Sequence, residues 1–161
     1  GGKMSNVLES KSVELERYQD ALDAARAKGL QAFNALFDAP PEGLSVHEIN
    51  TEKTLVRVSR AHERLLGYPP DRMTGRPVSS FVILREASEM AMSRKLSSNG
   101  KLEPYVRAFV KADGTAVTLL QLDRQIHDAA GKVSGIRTVL TVMPAAPVTG
   151  SWPRPSSGQS A

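Results

Sequence analysis

The 161-residue chain contains no cysteine. Disulfides, thiolate catalysis, cysteine-ligated zinc, iron–sulfur clusters and cysteinyl–flavin photochemistry are therefore excluded. Aromatic residues are scarce, 5% of the chain with a single tryptophan, so a nucleic-acid surface that interleaves basic and aromatic side chains has little to draw on. Charge of one sign is also in short supply. The net charge is +4, the segment up to Ser45 is slightly acidic, and the excess Lys and Arg are spread singly over the rest. Such charges solvate a surface, which argues against a nucleic-acid partner for this segment. No apolar run approaches a membrane span and no signal-peptide pattern opens the sequence. No membrane partner is expected, and the expected setting is cytoplasmic.

The ingredients of catalysis are missing as well. His47, His62 and His127 are not paired at metal-ligand spacing, no Gly-rich phosphate loop follows a strand, and Ser79-Ser80 and Ser97-Ser98 have no adjacent base. No enzyme and no metal site are expected. Glu86 and Glu89 read as solvated residues of a helix face.

What is present is regular patterning. Residues 1–3 read as the remnant of a removed tag. Over 4–29 the pattern is that of an amphipathic helix, with Leu8, Leu15 and Leu22 at heptad spacing and Tyr18 and Ala25 three positions after the last two. This stripe suits either packing back on its own domain or a short parallel coiled coil between two protomers. The coiled coil is the expectation, because the following segments carry enough apolar residues for a core. Leu8, Leu15, Tyr18, Leu22 and Ala25 are then the dimer seam. A second short helix, 30–37, brings Leu30, Phe33, Leu36 and Phe37 together. Asp38-Ala39-Pro40-Pro41-Glu42-Gly43 ends it, and two strands follow at 44–49 and 54–58, the second with Val56 and Val58 on one face.

At the centre stands Ala61-His62-Glu63-Arg64-Leu65-Leu66-Gly67-Tyr68-Pro69-Pro70, running on to Gly75. Gly67 can end a helix in the left-handed conformation and Pro69-Pro70 bars its continuation. A short helix at 78–82 and a longer one at 84–97 follow, with Ala87, Met90 and Ala91 facing inward. The strand at 103–111 carries Tyr105, Arg107 and Phe109 on one face. Asp113-Gly114 and Asp128-Ala129-Ala130-Gly131 read as hairpin turns around strands at 116–127 and 133–143. From Pro144 the composition shifts to Pro, Ser and Gly, as in a flexible tail over 144–161.

The stretch with Ala61, Leu65, Gly67, Tyr68 and Gly75 resembles the signature of PAS domains, although Ser59 stands where Asn is usual. The order of helix, two strands, small helices, longer helix and three strands extends the resemblance over 33–142. It implies an α+β fold: a five-stranded antiparallel sheet with small helices on one face, occupying 30–143 and preceded by the amphipathic helix. It implies a non-enzymatic sensor and dimerisation module of a signal-transduction protein. The module would relay through the N-terminal helix, with Leu30, Phe33, Leu36 and Phe37 coupling helix to sheet and an effector domain, linked or separate, as partner. Two alternatives stay open. One is a sensor of a small hydrophobic ligand held between sheet and long helix by Phe81, Ile83, Met90, Met92, Tyr105, Phe109 and Leu140. The other is an output or interaction segment of a larger kinase, transcription factor or photoreceptor. No cofactor is expected: haem-binding members place a His on the long helix, which has none, and Gln121 and Gln125 lack the Asn that commonly accompanies them at a flavin edge. His62 and His127 read as surface or capping residues.

Overall fold

The computed structural model describes residues 2–144, with side chains from Ser5 onward. Five strands, β1 (Leu44–Asn50), β2 (Leu55–Val58), β3 (Tyr105–Val110), β4 (Ala116–His127) and β5 (Val133–Val142), form one sheet in the order β2-β1-β5-β4-β3. Every neighbouring pair is antiparallel. The β3–β4 turn is fixed by Asp113, whose Oδ1 accepts from the Thr115 N–H at 2.9 Å and from its hydroxyl at 2.6 Å. Between β1 and β5 the strands approach so closely that a Cβ at Gly135 would lie 2.1 Å from the Ile49 carbonyl oxygen, and only glycine fits there.

Both faces of this sheet are apolar. On the inner face Ile49, Leu55, Phe109, Leu119, Ile136 and Leu140 are buried under α3 (Arg60–Leu66), a 3₁₀ turn (Val78–Phe81) and α4 (Arg85–Leu96). Leu66, Met73, Phe81 and Met92 fill the space between. On the outer face Leu44, Val46, Leu120, Leu122 and Val139 are covered by α1 (Gly2–Lys28) and α2 (Leu30–Asp38), which contribute Leu15, Tyr18, Leu22, Phe33 and Phe37. The two helices meet at Gly29, whose φ of 146° is open to glycine and strained for other residues. No helix among the described residues is long and apolar enough to cross a membrane.

The elements agree with the α+β fold expected from sequence, and two local readings are corrected. Val56 and Val58 do not share a face: an irregularity of register between Glu48 and Ile49 turns Leu55 and Val58 inward and leaves Val56 49% exposed. In α4 the buried residues are Ser88, Ala91 and Met92, while Ala87 is exposed and Met90 is 61% exposed. Of the tail expected over 144–161, all but Pro144 lies outside the described residues.

Candidate functional site

The signature stretch builds a rigid corner. Ser59 caps α3, its Oγ accepting from the His62 N–H at 3.2 Å and from the Val46 N–H at 3.2 Å, which ties the helix start to β1. Gly67 closes α3 in the left-handed conformation. Glu63, buried, reaches back over the following turn, and its Oε2 accepts from the Asp71 N–H at 2.7 Å.

Beneath this corner the inner face holds two polar groups. The first is a histidine pair. His47 on β1 and His62 on α3 are fully buried with ring centroids 5.0 Å apart, and Phe109 packs edge-on against His62. His62 Nδ1 shares a hydrogen bond of 3.1 Å with Ser45 Oγ. His62 Nε2 and His47 Nδ1 have no partner. Burial drives the His47 pKa down to about 4, and burial together with the neighbouring His47 drives His62 well below the ordinary histidine value. Both rings are neutral at pH 7. His62, expected at the surface or in a cap, is thus a core residue, whereas His127 is exposed.

The second group joins α4 to the late strands. Lys95 Nζ bonds Asp123 Oδ2 at 2.7 Å and lies 3.3 Å from the centre of the Tyr105 ring. The other Asp123 oxygen accepts from the Thr138 hydroxyl at 2.5 Å. Burial lowers the Lys95 pKa despite the Asp123 carboxylate, and burial followed by Asp123 raises that of the Tyr105 hydroxyl. Gln125 fastens the end of α4, its Nε2 donating to the Lys95 and Ser98 carbonyls at 2.8 Å each. Around this ion pair three buried groups find no partner: Tyr105 Oη, Arg107 Nε and Gln121 Nε2. The register places Tyr105 opposite Gln121, and Arg107 follows two residues on along β3.

The outer face of the same strands carries a polar latch on α1. Gln19, fully buried, donates from Nε2 to the Leu122 carbonyl of β4 and the Arg137 carbonyl of β5, both at 2.9 Å. Its Oε1 accepts from Arg137 Nε at 2.7 Å. The Arg137 guanidinium also bonds Asp23, while Arg124 is held by Glu16, Asp20 and Asp23 at 2.8 Å each. Burial opposes the Asp23 charge, but the bonds from Arg137 and Arg124 outweigh it and hold the carboxyl below its ordinary pKa.

The residues expected at a dimer seam are therefore distributed differently. Leu15, Tyr18 and Leu22 are buried against the chain's own sheet and Ala25 packs beside them, while Leu8 is 39% exposed. The physical reason is the second apolar sheet face, which needs a cover. Of the expected coupling residues, Phe33 and Phe37 are buried in the outer cluster, Leu36 packs against it, and Leu30 is 60% exposed. Of the expected pocket, Phe81, Met92, Phe109 and Leu140 come together in the inner core with Tyr105 against them, but Ile83 and Met90 point to solvent. Among the described residues no group of three or more His, Asp or Glu could hold a metal ion. Sequence reading missed Gln19, Arg137 and the Lys95–Asp123 pair. Gln19 was visible as an amide between Leu15 and Leu22 on one helical stripe.

This architecture is the PAS fold, as solved structures bear out. The PAS domain of a protein from Colwellia psychrerythraea superposes with a TM-score of 0.60 at 12% identity, covering 70% of this chain and 94% of that one. The PAS domain of an HTR-like protein from Haloarcula marismortui gives 0.58 at 15% identity, over 79% and 98% of the two chains. A light-oxygen-voltage domain, its mechanism probed with a flavin analogue, gives 0.56 at 19% identity over 73% and 88%. No protein-family model matches the sequence, and no curated protein matches it.

Proposed function

We propose that the chain is a non-enzymatic, cytoplasmic sensor module of a signal-transduction protein whose output element is α1. The observation that carries this reading is the placement of Gln19. Its amide binds the Leu122 and Arg137 carbonyls, and the residues next to them in β4 and β5, namely Gln121, Asp123 and Thr138, face the inner polar group. A change at the inner face that shifts these strands alters the hydrogen bonds holding α1, and so biases whether the helix is docked. Likeness to PAS and light-oxygen-voltage domains supports the sensor reading in general. An effector, linked or separate, would read the helix. The homodimer expected from sequence would use the exposed Leu8 and Val13 ahead of the docked turns.

Amide hydrogen exchange tests the relay. Lys95→Met breaks the inner ion pair and should speed exchange in α1 more than Leu66→Ala, a core variant on the same face chosen for a similar stability loss. Equal acceleration in both would show that α1 responds only to global stability.

A second reading, small-ligand sensing, is favoured by the unpartnered Tyr105 Oη, Arg107 Nε and Gln121 Nε2. Leaving buried donors unpaired costs about 1–3 kcal/mol each. A ligand that relieves this would present acceptor oxygens to these groups as well as apolar surface to the core. Native mass spectrometry of freshly purified protein should then show an adduct that is weakened by Gln121→Leu. A bare mass would remove this reading and leave the relay standing.

A further inference from the structure

The chain has four asparagines, and their surroundings differ sharply. Asn6 and Asn34 lie inside α1 and α2, where the next backbone nitrogen is engaged in the helical ladder. Asn34 Oδ1 also accepts from Arg57 Nη1 at 2.8 Å. Asn50 is tied into its own turn, its Oδ1 accepting from the Glu52 and Thr54 N–H groups at 3.0 Å each, and the β-branched Thr51 follows it. In each case the side-chain amide is held or the neighbouring nitrogen cannot turn toward it.

Asn99 is exposed in the loop after α4, and Gly100 comes next. The bonds of this loop are made by its neighbours. Ser97 Oγ donates to the Ser93 and Arg94 carbonyls at 3.2 Å each, the Ser98 carbonyl accepts from Gln125 Nε2 at 2.8 Å, and Ser98 Oγ accepts from the Gly100 N–H at 3.1 Å. The Asn99 amide takes part in none of them. Gly100 has no Cβ to shield its nitrogen, and nothing lies within 4 Å of where a Cβ would stand. An asparagine amide is among the thermolabile groups of a protein, and this one stands beside an unshielded nucleophile.

We infer that Asn99 is a site of self-modification whose products loosen the last turn of α4. The Gly100 backbone nitrogen attacks Asn99 Cγ and forms a C–N bond. The side-chain nitrogen leaves as ammonia, taking the proton of the attacking nitrogen, and a cyclic imide remains. Water, the only co-reactant, then opens the ring. Cleavage between Cγ and nitrogen gives aspartate on the ordinary backbone. Cleavage between the main-chain carbonyl carbon and nitrogen gives isoaspartate, with the backbone routed through the side chain. Both products add a negative charge just past the C-terminus of α4, the end at which an anion is disfavoured. Isoaspartate also lengthens the backbone directly after Ser98, whose carbonyl Gln125 holds. The turn affected is the one that carries Lys95. The inference depends neither on the relay nor on a bound ligand.

The full chain, aged at mildly alkaline pH and physiological temperature, is compared with fresh protein after identical tryptic digestion. The peptide of residues 96–101 should gain the mass that separates acid from amide and resolve into two products, while peptides holding Asn6, Asn34 and Asn50 keep their masses. Asn99→Gln should remove the gain. Gly100→Ala, whose methyl group meets open space at a φ outside the left-handed region, should slow it several-fold without moving the melting temperature. Amides in the last turn of α4 should exchange several-fold faster in aged than in fresh protein. An unchanged mass for 96–101 overturns the inference. So does conversion at Asn50 ahead of Asn99, or conversion that Gly100→Ala leaves at full speed. Equal exchange in fresh and converted protein overturns the effect on α4.

Discussion

His47 and His62 show how far a residue's role depends on its surroundings. Read singly, His62 stood on the signature helix as a surface or capping residue, and nothing local marked it as buried. The signal lay in β1, where Ser45 and His47 share the alternation of Ile49 and hence the inner face. The consequence is acid sensitivity. A histidine whose folded pKa is depressed takes up its proton in the unfolded state first, so stability is intact above about pH 6.5 and falls as pH drops toward the folded value. For His47, with a folded pKa of about 4, the loss between pH 7 and pH 5 is about 2 kcal/mol, and His62 adds to it in the same direction. Glu48, raised by burial, works the opposite way and blunts the slope. Urea unfolding at the two pH values should show the drop, and His47→Phe should flatten it by most of that amount. An unchanged slope in His47→Phe would mean that its ring is not held neutral by the fold.

At the level of elements, the order of helices and strands was legible because each carries its own punctuation: Gly29, the Pro40-Pro41 turn, Gly67, Asp113-Gly114 and Asp128 through Gly131. Faces were harder. The stripe of α1 was found correctly from Leu15 and Leu22, but not what it covers. Leu119, Leu120 and Leu122, with Val139 and Leu140, make β4 and β5 apolar on both sides, and a sheet with two apolar faces requires two covers. In α4, with few apolar residues, Ala87 and Met90 competed with Ala91 and Met92 for the inner face. Ser88, 1% exposed, sits where the sequence suggested Met90. The two accounts of α1 separate in one experiment. Were its leucines only an interchain seam, Leu15→Asp with Leu22→Asp would give a folded monomer. Packed as they are, each leucine contributes about 1.5–3 kcal/mol by burial alone, and each aspartate adds an unpaired charge in an apolar layer. The double variant should lose cooperative unfolding and bind a hydrophobic dye at its exposed outer face. A cooperative, dye-free monomer by light scattering would return the seam to Leu15 and Leu22.

For the whole molecule, the sheet is a plate with different chemistry on its two sides, and β4 and β5 are common to both. Their inner residues Asp123 and Thr138 hold the ion pair with Lys95, while their outer backbone and Arg137 hold α1. Apolar contacts alone would transmit little from one side to the other, since leucine on leucine tolerates a slide with small loss. Hydrogen bonds do not: they weaken steeply with lost alignment, and Gln19 spans carbonyls of two different strands at once. Any change in the offset between β4 and β5 therefore strains one of its two bonds before it disturbs Leu15 or Leu22. Arg137 increases the consequence, because it is buried and keeps Gln19 Oε1 and Asp23 as its partners. Moving α1 leaves that buried cation without Gln19 Oε1 and without Asp23, which is itself half-exposed, so water can replace only part of what is lost. The docked helix is thus favoured by packing, while its position along the sheet is set by polar bonds. The relay proposed above requires in addition that α1 have a second discrete position on the sheet, and the two carbonyls that Gln19 spans define the first.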